Sequence, residues 1–154
     1  MYEIDYTSPL GILRLRATDE GLVGLYWPRH KPAPKRVEAE HRSTTLLERT
    51  SKQLDAYFAG RRQAFDLPLA PSGTPFQLAV WRALSQIPFG ETRSYSDVAK
   101  AVGRAPAVRA VAAANARNPL SIIVPCHRVI GKDGTLTGYA GGVETKRWLL
   151  THER

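Results

Sequence analysis

The chain has one cysteine among 154 residues, which excludes an internal disulfide and any zinc or iron–sulfur site built from several thiolates. No apolar run approaches the roughly 18 residues that a membrane helix needs. The opening MYEIDYTSPL has acids where a signal peptide needs a basic start and a long apolar core, so a reducing, cytoplasmic setting is expected. No H-E-x-x-H or clustered Asp, Glu and His spacing suggests a metal, and no G-x-G-x-x-G follows a strand as a dinucleotide site requires. Neither a metal nor an organic cofactor is expected. Acidic residues are scarce too: 14 Asp and Glu face 22 Lys and Arg, a net charge of +8. That excess favours an anionic partner, with nucleic acid the leading candidate.

What is present has the make-up of one ordinary folded chain, 43% apolar and 23% charged. The positive charge is concentrated in two stretches, 28–62 and 90–132, each with a net +5, whereas 1–27 carries −2. The first segment alternates in the strand sense through Ile4 and Tyr6, Leu13 and Leu15, then Leu22, Val23 and Leu25, with turns at Ser8–Gly11 and Asp19–Gly21. An antiparallel meander is expected there. Residues 28–42 hold three prolines and read as an exposed loop. Ser43 or Thr44 caps an amphipathic helix carrying Leu46, Leu47, Thr50, Leu54, Tyr57 and Phe58, which Gly60 stops. A short strand at Phe65–Leu69 would complete the unit.

Beyond Ser72 the pattern turns helical. Thr74-Pro75 reads as a cap with proline at the first helical position, and Ser94-x-x-Asp97 as a capping box opening a helix that Gly103 ends. After Arg104-Ala105-Pro106 a second helix runs from Ala107 to about Arg117, making a helix-turn-helix candidate. The expected architecture is α/β. A small N-terminal antiparallel sheet and helix, 1–70, precede a mainly helical C-terminal domain with a helix-turn-helix, 71–154.

The stretch from Ala105 to Arg117 holds seven alanines, with Arg109 as its only charge before Arg117. Alanine is the best helix former and packs well, which alone would account for it. The slimness also suits a widened minor groove, which is otherwise about 6 Å across against the 10–12 Å of an ordinary helix; Arg109 would then enter the base stack. Ser121–Val124 reads as an apolar strand ending at Pro125, directly before Cys126, His127 and Arg128. A lone cysteine is commonly inert and buried, and a reactive one needs a neighbouring base or positive charge. On a strand, His127 would point away from Cys126. A tight turn, Gly131–Gly134, and a glycine-rich stretch, Gly138–Gly142, follow.

PCHRVIG at 125–131 resembles the active-site signature of the O6-alkylguanine-DNA alkyltransferases. FQLAVWRALSQIPFGETRSYSDVA at 76–99, VRAV at 108–111, NP at 118–119, GYAGG at 138–142, WLL at 148–150 and HE at 152–153 fit the same family in order. The resemblance implies direct damage reversal: an alkylated guanine is flipped from duplex DNA and Cys126 takes its alkyl group irreversibly, once per molecule. It implies that His127 activates Cys126 through a water, that Glu153 orients His127, and that Asn118 braces the turn. It assigns Tyr95 to rotating the nucleotide and contacting the guanine, and Arg109 to filling the vacated stack. The carbonyls of Cys126 and Val129, the amide of Ala140 and the ring of Tyr139 would line the base pocket. Gln77, Ser94, Ser96, Arg104 and Lys132 would contact phosphate or groove. The partner so implied is double-stranded DNA held through its minor groove by a monomer, with no membrane and no zinc. Ala112 and Ala113 stand where the family commonly has glycine, and Ala140 where it often has serine. A related lesion sensor would lack the cysteine, and a cysteine hydrolase would need an oxyanion hole.

Overall fold

Period-two alternation builds the first layer. In the computed structural model, which describes residues 1–154, β1 (Tyr2–Ser8), β2 (Gly11–Thr18) and β3 (Gly21–Tyr26) form the expected antiparallel meander, paired Ile4 to Leu15 and Leu15 to Leu25. Leu13, Leu15, Leu22 and Leu25 are fully buried. A two-residue strand, β4 (Glu40–His41), joins the free edge of β1 in parallel, giving the order β3-β2-β1-β4. Helix α1 (Thr45–Phe58) lies against β1 and β2, capped by Thr44, whose side chain accepts from the Leu47 amide. Leu47, Leu54 and Tyr57 form its fully buried stripe.

One expectation fails here. Phe65–Leu69 is not a strand; only a single bridge forms, Leu69 to Leu22, with the Leu22 amide donating to Pro68 O and the Ala70 amide to Leu22 O. Pro68 has no N–H to extend the ladder. The same β3 edge receives Pro119–Leu120 further along, where the Leu25 amide donates to Pro119 O at 2.8 Å. The edge is thus covered, and the chain that leads to the cysteine is tied to it.

The C-terminal helices are α2 (Pro75–Leu84), α3 (Tyr95–Ala101), α4 (Val108–Ala116) and α5 (Val143–His152). Complete capping boxes open α2 (Thr74 with Gln77) and α3 (Ser94 with Asp97). Gly103, at φ +74°, ends α3, because only glycine takes that left-handed conformation without strain. Packing of α3 on α4, with both on α2, gives the helix-turn-helix. Trp81 Nε1 donates to Ala114 O at 2.9 Å, fixing α2 to the end of α4. One apolar core runs through both parts of the chain, from Leu13 and Leu54 to Val80, Val111 and Leu149.

Candidate active site

The segment expected as an apolar strand, Ser121–Val124, is a series of turns. Asn118 supplies the reason. Its Nδ2 donates to Val124 O at 2.8 Å and its Oδ1 accepts from the Leu120 amide at 3.0 Å, so one buried side chain spans the loop's two ends. Ile122 sits at φ +73°, a costly conformation for a β-branched residue. Apolar spacing cannot anticipate a ladder replaced by side-chain bonds.

The turn delivers Cys126–Arg128 as one 3-10 turn, followed by β6 (Val129–Ile130). At three residues per turn, successive side chains are about 120° apart rather than on opposite faces, which removes the strand objection to Cys126 acting with His127. β6 pairs in parallel with β5 (Arg93–Ser94), placing the start of α3, and so Tyr95, beside the cysteine turn. Tyr95 Oη shares a hydrogen bond of 2.5 Å with Thr137 Oγ1, from the loop that carries Tyr139.

His127 is fully buried, and its Nε2 lies 2.7 Å from Glu153 Oε2. Burial would raise the Glu153 carboxyl, but donation from His127 and Arg128 outweighs it and brings it down to about 2. An ionised carboxylate only accepts, so His127 Nε2 carries the proton and Nδ1, which has no partner within the chain, keeps a free lone pair. Burial also pushes the imidazole pKa down, against the pull of Glu153, so the ring is held neutral. Arg128 donates to Glu153 through Nε (2.7 Å) and Nη2 (3.1 Å), and through Nη1 to Ile87 O.

The Cys126 thiol, 3% exposed, is pushed up by burial, with Asn118, Lys146 and Tyr139 pulling the other way. Burial thus favours the thiol over the thiolate, and the neutral His127 follows it directly on the same 3-10 turn. Tyr139 is half-buried as a residue, and its hydroxyl is buried. It packs on Trp27, with ring centroids 6.0 Å apart, and Trp27 also lies against Gly141, where an added Cβ would meet the indole at 2.7 Å. Ala140 is buried, and its carbonyl accepts from the Lys31 amide at 3.1 Å. Val129 is buried too, and its carbonyl accepts from Lys146 Nζ at 2.6 Å.

Cys126, His127, Asn118, Val129, Glu153, Tyr139 and Ala140 thus meet in one buried region, with Tyr95 at its border. The other candidate residues lie outside that buried region. Arg109 is exposed on α4, Arg104 lies over the Phe76 ring in the preceding turn, and Lys132 is exposed on the turn after β6. Gln77 and Ser94 are occupied as capping partners, and Ser96 is half-buried in the first turn of α3. Two clefts of about 650 and 630 Å³ lie along the 26–37 loop, and Cys126 lines neither.

Sequence reasoning missed two members of the site. Lys146 is fully buried with no acidic partner, its pKa lowered by burial. It shares a helical stripe with Leu149 and Glu153, three and seven residues on, and that spacing could have exposed it. Tyr57, assigned only to the apolar face of α1, donates to Glu153 Oε2 at 2.6 Å across 96 residues of sequence. No local signal marks that contact.

Family models match both parts of the chain: 6-O-methylguanine DNA methyltransferase, ribonuclease-like domain, over residues 1–71, and the DNA binding domain of the same family over 75–154. The chain belongs to the 6-O-methylguanine DNA methyltransferase family. It is 46% identical over 153 residues to the methylated-DNA–protein-cysteine methyltransferase of Methanosarcina acetivorans, covering 99% of this chain and 98% of that one. The constitutive enzyme of that name from Bacillus subtilis is 49% identical, at 96% and 92% coverage. Among solved structures, Mycobacterium tuberculosis OGT in complex with DNA superposes with a TM-score of 0.93 at 43% identity, covering 99% of this chain and 92% of that one.

Proposed function

We propose that this protein is a methylated-DNA–protein-cysteine methyltransferase that repairs O6-alkylguanine by moving the alkyl group onto Cys126. One observation carries the reading. The chain's single thiol sits on a braced turn next to a neutral histidine whose Nε2 is committed to Glu153 and whose Nδ1 is free. The thiol proton passes through a water to His127 Nδ1. The thiolate then attacks the alkyl carbon, an S–C bond forms, and the C–O6 bond breaks with its electron pair going to O6. The guanine regains a proton, so the net change is thiol plus alkylated base to thioether plus guanine. A thioether does not hydrolyse under these conditions, so each molecule acts once. A resident metal or organic cofactor has no step in this scheme.

Duplex DNA would be met by the helix-turn-helix, with α4 entering the minor groove. Arg109 is exposed in its first turn, and the residues that follow it on α4 are mostly alanine, which supports that orientation. Arg109 fills the gap left by the flipped nucleotide, offsetting part of a flipping cost of a few kcal/mol. Tyr95 steers the base into a pocket walled by Tyr139 and Ala140, with the Val129 carbonyl at its edge. Ser94, Ser96, Gln77, Arg104 and Lys132 contact the backbone or groove. The protein acts as a monomer in the reducing cytoplasm. Residues 71–154 carry the acceptor and the DNA surface, and residues 1–70 hold them.

Intact-mass analysis after exposure to O6-methylguanine duplex tests this. We expect a gain of one methyl group, localised to Cys126, no further turnover, and no gain in Cys126→Ser, which should bind the duplex nearly as well. Repeated release of product would mean a hydrolase, and binding without transfer a lesion sensor. Arg109→Ala should slow repair of duplex much more than reaction with free O6-benzylguanine, and equal slowing would remove Arg109 from the flipping role.

A further inference from the structure

Glu153 Oε2 receives three donors: His127 Nε2 at 2.7 Å, Arg128 Nη2 at 3.1 Å and Tyr57 Oη at 2.6 Å. The first two belong to the cysteine turn. The third comes from α1, in the half of the molecule that the reaction above does not otherwise use.

Tyr57 is fully buried in an aromatic cluster, with centroids 5.2 Å from Phe58, 5.5 Å from Phe65 and 5.1 Å from His152. His152 Nε2 sits 2.7 Å from the Tyr57 carbonyl, fixing the backbone at the same point. A phenylalanine would pack equally well there. The hydroxyl adds a single thing, a hydrogen bond to the carboxylate that orients the base.

We propose that Tyr57 is a positioning residue of the alkyl-transfer site, acting through Glu153 to keep His127 a neutral, weak base. The inference rests on the reading of Cys126 as the alkyl acceptor. Its physics follows from the charges around the imidazole. Glu153, from the end of α5, stabilises the imidazolium. Arg128 on the same turn and Lys146 on α5 oppose it, as does burial, and the neighbouring Cys126 becomes negative only during reaction. A hydrogen bond into Oε2 draws charge from the one group that favours the imidazolium. Tyr57 therefore sets how strongly the pair holds a proton, and a base that holds it too strongly is already protonated when the thiol must be relieved.

The test is the pH profile of single-turnover methyl transfer from an O6-methylguanine duplex, run on wild type and Tyr57→Phe with product mass as the readout. Losing one hydrogen bond to a charged group should move the acid limb upward by about one pH unit, with transfer restored at higher pH. Imidazole titration of His127 by NMR, in a Cys126→Ser background, should move the same way. Should the phenylalanine variant not fold, a ring-fluorinated tyrosine placed at position 57 keeps the packing and is a stronger donor, and it should shift both readouts downward. Superimposable profiles, or a uniform slowing at every pH, would overturn the role of Tyr57. Failure of the wild type to take up methyl at all would instead overturn the reading of Cys126.

Discussion

The N-terminal sheet and the cysteine turn are held by opposite means. In the sheet, backbone ladders do the work and the side chains follow the pleat, with the Arg14–Asp5 ion pair left half-exposed. In the turn, side chains do the work. Asn118 bridges its ends, Glu153 gathers His127, Arg128 and Tyr57, and Lys146 caps Val129, all without solvent. A ladder tolerates substitution because each rung is worth little and water replaces what is lost. A buried polar network does not, because removing one partner strands the rest.

That contrast orders the expected effects. Glu153→Gln should be the most damaging, leaving Arg128 without its countercharge and a single acceptor oxygen to serve His127, Arg128 and Tyr57. A loss of about 3–5 kcal/mol is expected in denaturant unfolding, with transfer slowed at least ~10²-fold. A loss below about 1 kcal/mol would mean that the network is not what holds the turn.

Next comes acid. His30, buried with Nδ1 accepting from the Trp27 amide, is lowered by burial from 6.5 to about 4. A lowered folded-state pKa means that protons prefer the unfolded chain, so stability falls as pH drops from about 6.5 and the loss levels off below about 4. The size is on the order of 2–3 kcal/mol, and His30→Asn should flatten that segment in a series of melts. Glu153, depressed to about 2, acts in a separate and lower window. Its contribution is intact above about 4.5 and lost as pH falls toward 2. An unchanged curve in the His30 variant would show that the loop, rather than its histidine, senses acid. Smallest of all, Asp5→Asn breaks a pair whose partners are 48% and 46% exposed. It should cost under about 0.5 kcal/mol and nothing in transfer rate. A larger effect would blur the distinction between the two regions.

Much of the helical half was legible in advance. Thr74 and Pro75, Ser94 and Asp97, and Gly103 are start and stop signals that act within one helical turn, and the meander followed from alternation in Ile4–Leu25. The 65–69 segment misled because strand-forming residues there lie around Pro68, which cannot donate. Ser121–Val124 misled for a related reason, since its apolar run is bent by Asn118 and by the left-handed Ile122. Cys126 and His127 were singled out through a local signature, whereas Lys146 is marked only by its spacing from Leu149 and Glu153 and Tyr57 by nothing local.

The sequence alone settled where the capped helices and the N-terminal meander begin, that a single thiol was available, and that the chain would be basic, because capping, periodicity and charge are properties of neighbours along the chain. Only the tertiary structure decided which groups share Glu153, that Lys146 is buried against Val129, and that α1 reaches the site. Those contacts depend on how the elements dock. A hydrogen bond spanning 96 residues is fixed by packing geometry that no local pattern encodes.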